Sequence, residues 1–88
     1  MTGLYGGAFD PPHNGHVALV RAALDHFDLD RLVILVAERP GHKPPFARSD
    51  VRLRLTEAAF PGFEIELDPY PRTIDMLRAR QLDDPVLI

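Results

Sequence analysis

His13 and His16 stand three residues apart behind a glycine pair and two prolines, in the run Gly7-Ala8-Phe9-Asp10-Pro11-Pro12-His13-Asn14-Gly15-His16. If a helix begins near Asn14, both rings project toward the same side of its first turn. A helix start carries a partial positive charge and unpaired N–H groups, which together attract phosphate. Two imidazoles placed there can donate N–H bonds to phosphate oxygens, and a bound polyphosphate would favour their protonated forms. Such a clamp suits a reaction in which negative charge builds on an attacked phosphorus and the protein mainly positions groups and stabilises that charge. Gly6 and Gly7 have no side chains, so a ligand can approach the backbone there. Gly15 offers the same access inside the helix at a cost in helix propensity.

Plainer uses of the same residues compete with the clamp. A His-x-x-His pair can ligate a metal, but the third ligand would have to be Asp10 or His42, neither at an obvious spacing. Both histidines could merely cap and solvate a helix end. Asp10 could be a general base, although Asp in a turn more often ties the loop to nearby backbone N–H groups. Phe9 reads as packing more readily than as recognition.

The residues around this run form a repeating pattern. Gly3 to Gly6 is a short apolar strand, and Gly7 to His13 a loop punctuated by Pro11 and Pro12. Asn14 reads as the N-cap of a first helix, running to about Asp28 with Val17, Val20, Ala23, Leu24 and Phe27 as its core face. Leu32-Val33-Ile34-Leu35-Val36 is an unbroken apolar run, the mark of a parallel strand covered on both faces. Glu38 to Ala47 is a loop holding Gly41-His42-Lys43. Ser49 or Asp50 caps a second helix that runs to about Phe60 and buries Val51, Leu55 and Ala58 or Ala59. Phe63 to Leu67 alternates, which places it near a sheet edge with one face in water. Thr73 caps a third helix from Ile74 to about Gln81, and Val86-Leu87-Ile88 begins a fourth strand.

Strands alternating with helices are βαβ units, whose right-handed crossovers give an α/β fold: a Rossmann-like open parallel sheet with helices on both faces. Ligands of such sheets bind at the carboxyl ends of the strands, where strand order reverses, and the histidine run lies at such an end. Because the sequence stops inside an apolar strand, residues 1–88 are expected to be the front half of a longer domain, since burying an unpaired terminal carboxylate is costly.

Composition narrows the function classes. The chain of 88 residues has 10 Lys and Arg against 13 Asp and Glu, a net charge of −3, with no basic stripe for polymeric nucleic acid. It has no cysteine, which excludes disulfides, thiolate metal sites and cysteine nucleophiles. No signal peptide and no segment near the roughly 20 apolar residues of a membrane helix are visible. A soluble, cytoplasmic protein is the expectation.

The run from Gly7 to His16 resembles the signature of the nucleotidyltransferase superfamily with a His-x-Gly-His motif. Within it the chain is most similar to the bacterial nicotinate-nucleotide adenylyltransferases, through Gly6-Gly7 with Phe9-Asp10-Pro11, through Pro40-Gly41-His42-Lys43, and through Arg72-Thr73-Ile74-Asp75. The resemblance implies transfer of AMP from ATP to nicotinate mononucleotide with release of pyrophosphate, a step toward NAD. It implies that His13 and His16 hold the ATP phosphates and stabilise the transition state. Gly7, Ala8, Phe9 and Gly15 would line the nucleotide site, and Lys43 would reach the phosphates. Thr73 would lie near the acceptor, and magnesium would arrive with ATP, with no protein-held metal. Ala8 and Met76 stand where these enzymes commonly carry hydroxyl residues, and Gly41 where a proline is common. The resemblance covers only about the first half of such an enzyme, so this chain alone is expected not to turn over. Another acceptor, CTP as donor, or a nucleotide-binding domain without catalysis are the alternatives.

Overall fold

The computed structural model describes residues 1–41, 44–82 and 84–88. Its elements in chain order are β1 (Thr2–Gly7), α1 (Asn14–His26), β2 (Arg31–Ala37), α2 (Ser49–Ala59), β3 (Glu64–Asp68), α3 (Thr73–Arg80) and β4 (Pro85–Leu87). Every strand pair is parallel, in the order β3-β2-β1-β4. The chain therefore grows outward from β1 to β3 and then crosses back to lay β4 on the free side of β1. Strand order reverses at β1, and the loop after Gly7 emerges at that crevice.

The unbroken apolar run predicts what β2 does. Leu32, Ile34 and Val36 join Tyr5, Phe9, Val20 and Phe60 on the face covered by α1 and α2, while Val33 and Leu35 join Leu4 and Met76 under α3. Helices thus cover both faces. β3 is an edge strand, and its Glu64 and Glu66 are exposed while Ile65 and Leu67 turn inward, as the alternation requires. A bidentate Arg31–Glu64 pair, at 2.7 and 2.8 Å, ties β2 to that edge.

Both longer helices are rotated from the faces their apolar spacing suggests. On α1, Val20 and Ala23 are buried and Val17 half-buried, but Leu24 and Phe27 are exposed. The space below belongs to Leu29, which lies against Gly3 so closely that a Cβ there would stand 2.8 Å from Leu29 Cδ1. On α2 the residues facing inward are Arg52, Leu53, Thr56 and Ala59, leading to buried Phe60, whereas Leu55 and Ala58 are exposed and Val51 is half-buried. The Arg52 guanidinium finds carbonyl partners that Leu55 could not use, and this sets the rotation.

Helix starts also differ from the expected caps. His13, not Asn14, is the N-cap of α1; Arg48 and Arg72 occupy those positions for α2 and α3, with no side-chain capping bond. Thr73 is the first residue of α3, not its cap.

Candidate active site

The loop from Ala8 to His13 is shaped by three local devices. Phe9 adopts a left-handed backbone, φ 50°, which costs a residue with a Cβ about 1–2 kcal/mol. Its ring offsets this by entering the core edge-on to Tyr5, with centroids 5.4 Å apart, and to Phe60, at 6.3 Å, while His16 lies 4.8 Å away. Asp10 accepts N–H bonds from Phe46 and from Ala47, the latter at 3.0 Å, so its carboxylate holds the distant second loop and not the backbone of its own turn. The Asp10–Pro11 peptide is cis.

The two histidines cap the helix and cap each other. His13 Nδ1 accepts from Gly15 N–H at 3.0 Å, and His16 Nδ1 accepts from His13 N–H at 2.9 Å. An Nδ1 that accepts carries no proton, so each neutral ring bears its hydrogen on Nε2, as a donor. The rings stack with centroids 3.8 Å apart, tilted by 33°. Partial burial, and then the proximity of His13, hold the His16 imidazole below its ordinary pKa of 6.5. Protonation, which a bound polyphosphate would favour, has a cost at His16: a proton on its Nδ1 would break a cap, and the helix dipole opposes it. Capping uses only Nδ1 of each ring, so it does not by itself exclude a ligand at Nε2.

Gly15 lines neither of the two cavities described below. A Cβ there would stand 2.8 Å from His13 Cε1 and 3.0 Å from its Nδ1. Its place in the helix is explained by the space His13 needs to cap, rather than by access for a ligand. Gly6, by contrast, has open space where a Cβ would be.

Two cavities open at the carboxyl ends of the strands. The first, about 810 Å³, lies on the α1 side and is lined by Ala8, Phe9, Asp10, His13, His16 and the second loop through Pro40, Pro44, Pro45 and Phe46. The other, about 390 Å³, lies on the α3 side, where Gly6, Gly7, Ala8, Arg39, Tyr70 and Thr73 are among its walls. Ala8 and Pro40 belong to both. A strap from Arg72 to Asp75, at 2.8 and 3.1 Å, fixes the first turn of α3 beside Thr73, and its hydrogen bond holds the Asp75 carboxyl below the usual carboxylate range.

Of the expected site residues, Ala8, Phe9, His13 and His16 meet in the larger cavity, and Gly7 and Thr73 in the smaller, which Ala8 also joins. Lys43 lies outside the described residues. Among the described residues no group of three or more His, Cys, Asp or Glu is placed to hold a metal ion, and Asp10 is committed to backbone N–H groups. No helix among them is long and apolar enough to cross a membrane.

The apolar spacing of α2 conceals one residue of this site. Arg52 is 0% exposed, and its guanidinium donates to Ala47 O at 2.8 Å, Ala8 O at 3.0 Å, Ala37 O at 2.6 Å and Glu38 O at 3.2 Å. The signal was available in the spacing: Arg52, Leu53, Thr56 and Ala59 fit one helical face as well as Val51 and Leu55 do, once an arginine is allowed to be buried.

The sequence matches the cytidylyltransferase-like family over residues 4–88. The chain belongs to that family. Among its relatives, proteins named "Probable nicotinate-nucleotide adenylyltransferase" from Thermus thermophilus, Chlorobaculum parvum and Bacillus pumilus are 43%, 35% and 34% identical. The alignments cover 91%, 88% and 93% of this cytidylyltransferase-like chain and 48%, 46% and 50% of those proteins. The chain thus spans about half the length of these relatives, and what matches includes the histidine run, both cavities and β4.

Proposed function

We propose that the chain is the N-terminal part of one nucleotidyltransferase domain, residues 1–88, that transfers AMP from ATP to nicotinate mononucleotide and releases pyrophosphate, in the cytoplasm where NAD is assembled. The observation that carries this reading is the pair of cavities meeting at Ala8 and Pro40, one of them lined by two histidines whose Nδ1 atoms are taken up by backbone N–H groups. A transfer reaction needs its donor and acceptor side by side, with the reacting phosphorus at the shared wall.

In this account the triphosphate lies along the α1 cavity. An oxygen of the acceptor phosphate, entering from the α3 cavity past Thr73, forms a bond to the α-phosphorus as the bond to the pyrophosphate oxygen breaks. His13 and His16 donate from Nε2 to the oxygens on which charge accumulates, acting as neutral donors that need neither gain nor lose a proton. Gly7, Ala8 and Phe9 bring backbone to the reacting phosphate, and Gly15 serves by leaving His13 its place. Lys43 supplies a further cation to the phosphates. Magnesium would come with ATP and would neutralise charge on the triphosphate, the described residues offering no cage of their own.

Relatives named as nicotinate-nucleotide adenylyltransferases support the acceptor. Ala8 and Met76, standing at the two cavities without the hydroxyls common at these positions, favour a second reading in which another phosphorylated acceptor, or CTP as donor, is used. Pyrophosphate release from the longer protein, assayed with ATP or CTP against a panel of acceptors, decides between them. Preference for ATP with nicotinate mononucleotide is expected; preference for another pair selects the second reading. The 88-residue chain by itself is expected to bind ATP with magnesium and to release no pyrophosphate. Calorimetry showing no heat of binding, or binding that His16→Ala leaves unchanged, overturns the clamp.

A further inference from the structure

Buried charge is costly unless it is met by partners, and Arg52 has no carboxylate among the described residues. Its four acceptors are all backbone carbonyls, and they are not scattered. Ala8 belongs to the loop between β1 and α1, whereas Ala37, Glu38 and Ala47 mark the two ends of the loop between β2 and α2. Those loops are the walls of both cavities. On the outer side of the same junction, Asp10 reaches from the first loop to the Phe46 and Ala47 N–H groups of the second. Ala47 is held from both directions, its N–H by Asp10 and its carbonyl by Arg52.

We infer that Arg52 is a positioning residue, which with Asp10 clasps the two loops into one unit and thereby sets the shape of the phosphate cavity without touching its occupant. Four donors in a rigid planar fork fix several carbonyls at once, which a lysine's point charge does not. Ala8 O is anchored next to the strained Phe9 backbone, so the clasp also holds in place a conformation the chain would otherwise relax. At the far end it seats Phe46, 98% exposed, at the cavity mouth.

This inference rests on the nucleotide reading only for its binding arm. In the intact chain, Arg52→Lys and Asp10→Asn are each expected to weaken inorganic triphosphate roughly tenfold by calorimetry, which is about 1.4 kcal/mol, Asp10→Asn doing so although it removes a negative charge from the cavity wall. Combined, they are expected to lose less than the product of the two, because both act through one junction. Without any ligand, amide hydrogen exchange of Phe9, Phe46 and Ala47 is expected to quicken in Arg52→Lys while that of β2 stays as in the parent. A merely structural role would instead move β2 together with the loops. Independent losses, or loop amides unchanged in a folded Arg52→Lys, overturn the clasp. If the intact chain binds no triphosphate, the nucleotide reading fails and the exchange arm alone decides on Arg52.

Discussion

At the scale of single residues, the site turns on which nitrogen of each histidine faces the helix. The Nδ1 caps leave Nε2–H without a hydrogen-bond partner among the described residues, and Gly15 makes room for the first of them. Gly15→Ala is therefore expected to remove the cap, a loss of about 1 kcal/mol that offsets the propensity gain of similar size, so the melting temperature should stay near the parent's instead of rising. The depressed pKa of His16 gives a sign for pH. The unfolded chain takes up its proton near the ordinary value of 6.5, before the folded chain does. Stability from this group is then present above that value and is lost as pH falls through it toward the lower folded value. Melting curves between about pH 7.5 and about pH 5 should show this loss, and His16→Gln should flatten it. The residue types at the helix mouth were readable from the sequence; the caps they form were not, because each depends on where a backbone N–H is placed.

At the scale of elements, the strands follow from composition while the helix faces do not. β2 is buried on both sides because every residue from Leu32 to Val36 is apolar, and β3 sits at the edge because its side chains alternate. α2 defeats the same reasoning, since its inward face carries Arg52 and Thr56, and Thr56 Oγ1 satisfies itself on Arg52 O at 2.7 Å. Hydrophobic spacing places Leu55 in the core, where the structure has it exposed. Leu55→Glu is accordingly expected to change stability by less than about 0.5 kcal/mol, as surface substitutions do, measured by urea unfolding. Phe9→Ala removes the ring that holds the strained loop and should cost about 3–5 kcal/mol in the same experiment.

At the scale of the whole molecule, the reversal of strand order at β1 creates two cavities with one shared wall. That arrangement was legible in outline from the alternation of elements, because a parallel sheet puts its loops at one end. The division into two chambers was not, since it depends on Ala8 and Pro40 coming together from two loops to line both. The division predicts a separable effect: in the longer protein, Thr73→Val should raise the KM for the acceptor about fivefold, the equivalent of one hydrogen bond of about 1 kcal/mol, with the KM for ATP unchanged.

Imidazole nitrogen NMR of this chain during titration with ATP and magnesium reads the two Nε2–H groups on which the phosphate contact would depend. The predicted result is that the Nε2 resonances of both His13 and His16 move with saturation while both Nδ1 resonances keep the shift of unprotonated acceptors. Saturable binding that leaves the imidazole resonances in place, or that protonates the Nδ1 atoms, would contradict it.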